Sequence, residues 1–240
     1  MSKIKQAVVL AAGRGTRMGG LTADLPKPML PVHGRPILEH VFDGLASVGV
    51  ERFFVVVGYL HEVVEAHFRD WRLPVEFRLQ ETVDGTGSAT RLAREFVGAD
   101  PFLLTFGDIL CGPAAYTRCA RMLLDNPATK AVLGVKDVDD PWRGAAVYVN
   151  GEGVIHRIIE KPPIGTSTTR WNSAGLYSMD PVVFPYLDRL TPSARGEYEL
   201  TSIFDLMMAD GLELRISPII EEWRDIGYPA DLEAVRGRQG

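Results

Sequence analysis

Short apolar runs alternate with helical stripes through the first half of the chain. Ala7–Leu10, Phe53–Val57, Val75–Leu79, Phe102–Phe106 and Ala131–Val135 are short and largely apolar, the pattern of strands covered on both faces. Between the first two, Pro36–Val48 carries apolar residues at Ile37, Val41, Leu45 and Val48, a helical stripe. Pro36 suits its first turn and Gly49 its end. Leu60–Phe68, Ser88–Phe96 and Ala114–Leu124 are predicted to be further helices. Such alternation predicts an α/β, doubly wound, Rossmann-like sheet, mainly parallel, with helices on both faces and ligands at the carboxyl ends of its strands. After residue 140 the pattern changes. Ala145–Val149 and Val154–Glu160, joined by Asn150-Gly-Glu-Gly153, read as a β-hairpin. A strand at Gly175–Met179 and helices from about Pro181 and about Leu200 follow, so the sheet should be mixed. There is no linker, repeat or low-complexity run. Residues 1–240 read as one domain with two halves, about 1–112 and about 113–240.

The most informative loop leaves the first strand. Leu10-Ala-Ala-Gly-Arg-Gly-Thr-Arg-Met-Gly19 places Gly13 and Gly15 where the backbone must turn and point successive N–H groups outward, a concavity for anions. Arg14 and Arg17 add positive charge there, and Arg17 can pair bidentately with phosphate oxygens. In Leu25-Pro-Lys-Pro-Met-Leu-Pro31, Pro26 and Pro28 restrict the backbone around Lys27. The combination predicts a polyphosphate site. A P-loop would need Lys and then Ser or Thr after the second glycine, where Thr16-Arg17 stands. A dinucleotide fingerprint would need a third glycine where Met18 stands, and an acid ending the second strand, which ends in Gly58.

Composition narrows the setting. The chain has 240 residues, 46% hydrophobic and 24% charged, the balance of a globular domain with one large core. A net charge of −5 gives no general attraction to nucleic acid or anionic membrane, so an anion site has to be built locally. Met1–Lys5 is polar and the following apolar run is short, so neither a secretory leader nor a membrane span is expected. Cys111 and Cys119 are the only cysteines, too few for a disulfide framework or a thiolate metal site. A reduced, cytoplasmic setting fits. A homo-oligomer is compatible with the sequence.

The loop, together with Gln80 and Gly85-Thr-Gly87, Phe106-Gly-Asp-Ile109, Glu160-Lys-Pro162, Asn172-Ser-Ala-Gly-Leu-Tyr177, Gly196-Glu-Tyr-Glu-Leu-Thr201 and Trp223-Arg-Asp-Ile-Gly227, resembles the sugar-1-phosphate nucleotidyltransferases. These blocks run in that family's order from residue 7 to about residue 232. The resemblance implies the nucleotide-diphospho-sugar transferase fold, with the nucleotide in the first half and the sugar phosphate in a hairpin-containing second lobe. It implies that Leu10, Ala11, Ala12, Gly13, Gly15 and Thr16 cradle the nucleotide, and that Gln80, Gly85 and Thr86 meet the base. The Gln80 amide offers both an acceptor and a donor to a uracil or thymine edge. Asp108 and Asp225 would hold Mg²⁺, which prefers one or two carboxylates completed by phosphate oxygens and water. Gly144, Glu160, Lys161 and Asn172 would meet the sugar phosphate. Glu197 and Glu199 are explained adequately by a helix start.

The implied reaction is in-line attack of a sugar-1-phosphate oxygen on the α-phosphorus of a nucleoside triphosphate, releasing pyrophosphate. A phosphate monoester with a second pKa of about 6 needs no general base, and none of the histidines at 33, 40, 61, 67 and 156 lies in a block. Catalysis should then be alignment and charge neutralisation by Arg17, Lys27, Lys161 and the metal. UTP or dTTP with a hexose-1-phosphate fits best, although Gly85-Thr-Gly87 also resembles guanylyl- and heptose-type enzymes. The chain ends soon after the Trp223 block, so the left-handed β-helix acyltransferase domain of bifunctional N-acetylglucosamine enzymes is not expected. Two competing readings are a metal-dependent glycosyltransferase, for which Asp137-Val-Asp139 has the usual spacing, and a non-catalytic nucleotide-sugar-binding relative.

Overall fold

The computed structural model describes residues 3–237. Strand β1 (Gln6–Ala11) is buried along its whole length because both faces are covered: Ala7 and Val9 pack with one set of helices, Val8 and Leu10 with the other. A loop with 3-10 turns at Thr16–Thr22 and Lys27–Met29 leads to a small clip of β2 (Pro31–Val32) and β3 (Arg35–Pro36), then to α1 (Ile37–Ser47). The elements β4 (Arg52–Val57), α2 (His61–Phe68), β5 (Val75–Leu79), α3 (Thr86–Arg91), α4 (Arg94–Val97) and β6 (Phe102–Phe106) follow. Next come β7 (Ile109–Cys111), α5 (Pro113–Leu124), β8 (Thr129–Asp137), β9 (Ala145–Val149), β10 (Ile155–Glu160) and β11 (Trp171–Met179). The described chain closes with α6 (Val183–Asp188), α7 (Ser202–Ala209), β12 (Glu213–Pro218), β13 (Trp223–Asp225) and α8 (Pro229–Arg236).

The main sheet is mixed and mainly parallel, as the alternating pattern predicts. Strands β5, β4, β1 and β6 lie side by side in parallel. Strand β11 runs antiparallel beside β6, β8 antiparallel beside β11, and β12 parallel to β8, so β8 and β12 point the same way as the first four. The predicted hairpin, β9 and β10, joins the sheet through Ala146 and Asn172 at the start of β11. One sheet face is covered by α1, α2 and α5, with Phe42, Phe68 and Tyr116 in its core. On the other, α6 and α7 bury Phe184, Phe204 and Met207.

Several predicted boundaries shift, among them the strand expected at Ala131–Val135, which runs from Thr129 to Asp137. Ser88–Phe96 is two helices rather than one, and the first begins at Thr86. The break falls where Leu92 and Ala93 donate to Ala89 and Thr90, three residues back, tightening the turn. Strand β11 begins at Trp171 rather than Gly175; Asn172, Ser173 and Ala174, polar or small, precede Gly175, and its register with β8 is irregular between Ser173 and Tyr177. The last two predicted helices start two residues late, at Val183 and Ser202. Strands β7, β12 and β13 and helix α8 carry no clear periodic signal and were not expected. Among the described residues no helix is long and apolar enough to cross a membrane. Both cysteines are free thiols; burial pushes Cys119 up to about 12 and Cys111 up to about 11.

A third, smaller core joins the two ends of the chain. Met18, Leu30, Val32, Ile37, Ile226 and Leu232 pack together, so α8 rests on the loop that carries Arg17. Asp231 accepts hydrogen bonds from the N–H groups of Gly227 (3.1 Å) and Tyr228 (2.7 Å), which starts the helix on backbone groups. Leu232 is fully buried, and Leu232→Ala should cost about 2–4 kcal/mol. Amide exchange should then rise in Pro229–Arg236 and Thr16–Thr22 more than in Gln6–Ala11. Equal loosening of all three segments would mean that this core is not a separate unit.

Candidate active site

The carboxyl end of β1 opens into the anion loop. Gly15 is the glycine the turn requires: its φ is +64°, and a Cβ there would lie 3.1 Å from Lys27 Cβ. Gly13 has open space around it and no positive φ, so the expected need for glycine does not apply there. Leu10, Ala11, Gly13, Arg14, Gly15, Thr16, Arg17, Lys27 and Asp108 line a cavity of about 260 Å³. Ala12, also expected in the cradle, is buried in the main core and does not line the cavity. Lys27 is only 8% exposed and forms an ion pair with Asp108.

Strand pairing brings the two aspartates together. Asp108 follows β6 and precedes β7; β13 pairs antiparallel with β7, setting Asp225 opposite Ile109. The Ile226 N–H donates to the Asp108 carbonyl at 3.1 Å. Asp225 is exposed to the cleft yet walled on most sides. That enclosure, followed by the charge of Asp108, raises its pKa from 3.8 to about 6, against the pull of Lys27 and Arg17. Two carboxylates held against their mutual repulsion suit a hard divalent cation. Among the described residues no group of three or more His, Cys, Asp or Glu could hold a metal, so phosphate oxygens and water would have to complete the shell.

A larger cleft of about 860 Å³ adjoins this cradle and shares Arg17, Asp108 and Gly227 with it. Thr86, Gly144, Glu160, Lys161, Asn172 and Asp225 all line it. The Lys161 N–H donates to the Gly144 carbonyl at 2.7 Å. Lys161 has a φ of +43°, the left-handed region, unusual for a side chain with a Cβ. Asn172 donates to the Ser173 carbonyl at 2.9 Å, and its buried Oδ1 has no donor. A hydroxyl in the cleft would satisfy it. Glu160 accepts from Thr201 Oγ1 at 2.9 Å; burial, and then the charge of Glu199, hold its pKa above the usual carboxylate range.

Gln80 and Gly85 line neither cavity but are joined to each other. Gln80 Nε2 donates to Asp84 Oδ1 (3.2 Å), the Gly85 carbonyl (3.1 Å) and Ser88 Oγ (3.0 Å). The expected amide donor is therefore taken, and the acceptor Oε1 is what remains for a ligand. The turn is docked by Gly87 N–H to the Tyr198 carbonyl at 2.7 Å; a Cβ on Gly85 would meet that carbonyl oxygen at 2.4 Å. Glu199 is more than a helix start: it is buried, bound by Arg195 and Ser193, and lines the cleft with Glu197. Arg143, Arg195, Thr201, Trp223 and Tyr228 were also missed. Of these, only Trp223 and Thr201 stood inside a quoted block. Asp137 and Asp139 are both held by Arg170, at 2.7 and 3.2 Å, with Asp139 fully exposed. Their spacing is explained by that ion pair.

Comparison with known proteins identifies the family. Residues 6–237 match the family described as nucleotidyl transferase. The chain is 35% identical over 236 residues to the UTP–glucose-1-phosphate uridylyltransferase AglF of Haloferax volcanii, covering 97% of this chain and 96% of that one. It is 32% identical over 226 residues to the bifunctional protein GlmU of Methanococcus maripaludis, of which it spans 52%. A Bacillus anthracis protein described as a glucose-1-phosphate thymidylyltransferase superposes with a TM-score of 0.85 at 25% identity, covering 97% and 94% of the two chains. A UDP-glucose pyrophosphorylase solved with UDP-glucose gives 0.87 at 20% identity, covering 98% and 97%, a likeness of fold.

The left-handed backbone at Lys161 generates a test. Lys161→Gly relieves the φ strain but adds unfolded-state entropy, so stability should stay unchanged or rise by up to about 1 kcal/mol. Transfer should fall sharply, because the ammonium is gone. Loss of stability with retained activity in urea unfolding and turnover assays would remove Lys161 from the site.

Proposed function

The chain belongs to the nucleotidyl transferase family and is a sugar-1-phosphate nucleotidyltransferase, and from that premise we propose that it joins UTP or dTTP to a hexose-1-phosphate with release of pyrophosphate. The observation that carries the reading is the shared wall of the two cavities: Arg17, Asp108 and Gly227 face both the phosphate cradle and the larger cleft. A reaction joining two phosphorylated substrates needs its reacting centre at such a boundary. Similarity to a uridylyltransferase and a thymidylyltransferase supports the choice of base.

In this reading the cradle holds the triphosphate through loop N–H groups and Arg17, while Lys27 stands between the phosphates and Asp108. Lys161 and Glu160, at the end of β10, hold the sugar phosphate and a sugar hydroxyl, and Asn172 Oδ1 accepts from another. Gln80 Oε1 accepts the N3–H of the pyrimidine. Asp108 and Asp225 would hold Mg²⁺, which when bound supplies positive charge to the α- and β-phosphates. The sugar-1-phosphate oxygen attacks the α-phosphorus in line, and the bond to the β-phosphate oxygen breaks. The attacking monoester is largely dianionic, so no side chain has to remove a proton. The protein's task is to bring two anions together against their repulsion, which its cations and alignment perform.

A panel of four triphosphates against several sugar-1-phosphates, read by pyrophosphate release, tests the substrates; no release from any pair would end the reading. Asp108→Asn and Asp225→Asn keep size and remove charge. Each should lower kcat/KM in Mg²⁺ about 100-fold, roughly 2.7 kcal/mol, with the unfolding midpoint retained. Full activity of both variants would remove the metal assignment. Gln80→Ala should weaken preference for the favoured triphosphate by about 1–3 kcal/mol; an unchanged order of triphosphates means the base is met elsewhere.

The two lysines should separate in calorimetric titration. Lys161→Ala should weaken sugar-1-phosphate binding and spare the triphosphate, and Lys27→Ala should do the reverse. Each lost charged contact should cost about 1.5–3 kcal/mol. Loss of triphosphate binding in Lys161→Ala with sugar-phosphate binding intact would overturn the division of the site into two halves.

A further inference from the structure

Arg170, Arg195 and Arg215, among other arginines of this protein, are tied to carboxylates, which fix them and offset their charge. Three arginines at the cleft are held instead by tyrosine rings. Arg14 stacks on Tyr59 at 5.8 Å, and Arg17 and Arg143 both stack on Tyr228, each guanidinium carbon 5.3 Å from the ring centroid. Among the described residues neither Arg17 nor Arg143 has a carboxylate within ion-pair distance. An aromatic face orients a guanidinium without neutralising it, so these cations keep their charge for a ligand.

Arg17 and Arg143 reach this ring from different halves of the molecule. Arg17 comes from the loop after β1 and lines both cavities. Arg143 ends the turn Pro141–Arg143, next to the Gly144 carbonyl that binds the Lys161 N–H, and it also stacks on Trp142 at 5.1 Å. Tyr228 sits between β13 and α8 and lines the cleft together with both arginines. The two cations are no farther apart than twice the ring distance, and they repel each other until an anion lies between them. Arg143 and Tyr228 line the larger cleft and Arg17 lines both cavities, so an anion between the two guanidiniums lies where the cradle opens into the cleft. Of the two proposed substrates the triphosphate brings the greater charge there, at its pyrophosphate end.

We infer that Arg143 is a second guanidinium ligand of the departing pyrophosphate, and that Tyr228 is a positioning residue holding Arg17 and Arg143 around it. This deepens the function proposed above and rests on it. The ring is only half-buried, and Asp231 accepts from the Tyr228 backbone N–H at the start of α8 whatever side chain stands there.

The test is titration of inorganic pyrophosphate with Mg²⁺ into the full chain, paired with turnover in both directions. Arg143→Ala should weaken pyrophosphate binding about tenfold. It should raise the KM for pyrophosphate in the reverse reaction similarly, while the KM for sugar-1-phosphate stays within about twofold. Tyr228→Leu should reproduce the pyrophosphate defect and Tyr228→Phe, which keeps the ring, should restore binding. A change confined to sugar-1-phosphate, or unchanged pyrophosphate binding in Arg143→Ala, overturns the inference and leaves the proposed function standing. Equal defects in the Phe and Leu variants remove the stacking role. A parent protein that neither binds pyrophosphate nor releases it from any substrate pair overturns both.

Discussion

Strands β7 and β13 are three residues each, and neither could persist alone in water. Their pairing nonetheless sets the geometry of the whole site. It brings Asp225 beside Asp108, and it delivers Tyr228 to the cleft and α8 to the loop carrying Arg17. What makes so small a ladder hold is burial around it. Trp223 Nε1 donates to the Ala174 carbonyl at 2.9 Å, tying β13 to β11, and Ile226 is fully buried in the small core with Met18 and Leu232. Sheet pairing, tertiary core and site are therefore one cooperative unit.

Charge is the second organising constraint. The protein carries a net charge of −5, yet its proposed substrates are both anions. Long-range attraction is therefore of the wrong sign, and local arrangement has to overcome it. The molecule uses two devices. Lys27 is buried against Asp108, where low exposure strengthens its field and the aspartate keeps it in place. Arg14, Arg17 and Arg143 sit on tyrosines at the exposed rim. The buried pair holds a lysine in place at the centre, and the stacked arginines bring cations without an ion-pair partner among the described residues to the entrance.

Much of this was legible in sequence, for identifiable reasons. Strands β1, β4 and β6 are covered on both faces and so read as apolar runs, and α1 shows its stripe because only one side of it is wet. The loop glycine with φ +64° and the clamped lysine are local features that sequence expresses directly. What stayed hidden depends on distant partners. Trp223-Arg-Asp225 has no periodicity and becomes a strand only because β7 is there to pair with it. Strand β11 starts early because β8 pairs with Trp171, Asn172 and Ser173 and the hairpin adds a pair at Asn172, partners that local pattern does not reveal. Arg143 and Tyr228 show nothing in isolation; their meaning lies in sharing one ring with Arg17.

The orientation of Gln80 bears on which base the proposed site accepts. Asp84 Oδ1 and the Gly85 carbonyl cannot donate, so the side of the amide facing them must be the nitrogen. The remaining Oε1 is a lone acceptor. In the proposed reading uracil and thymine offer it the N3–H, whereas cytosine and adenine have a lone pair at the corresponding ring nitrogen and could donate only from the exocyclic amino group, which requires a shifted base. A base that left Oε1 unpaired would lose about 1–3 kcal/mol. Guanine also carries an N–H on this edge, so in the proposed reading this hydrogen bond would not tell guanine from uracil, and packing at the turn that Gly85 makes against Tyr198 would have to do so.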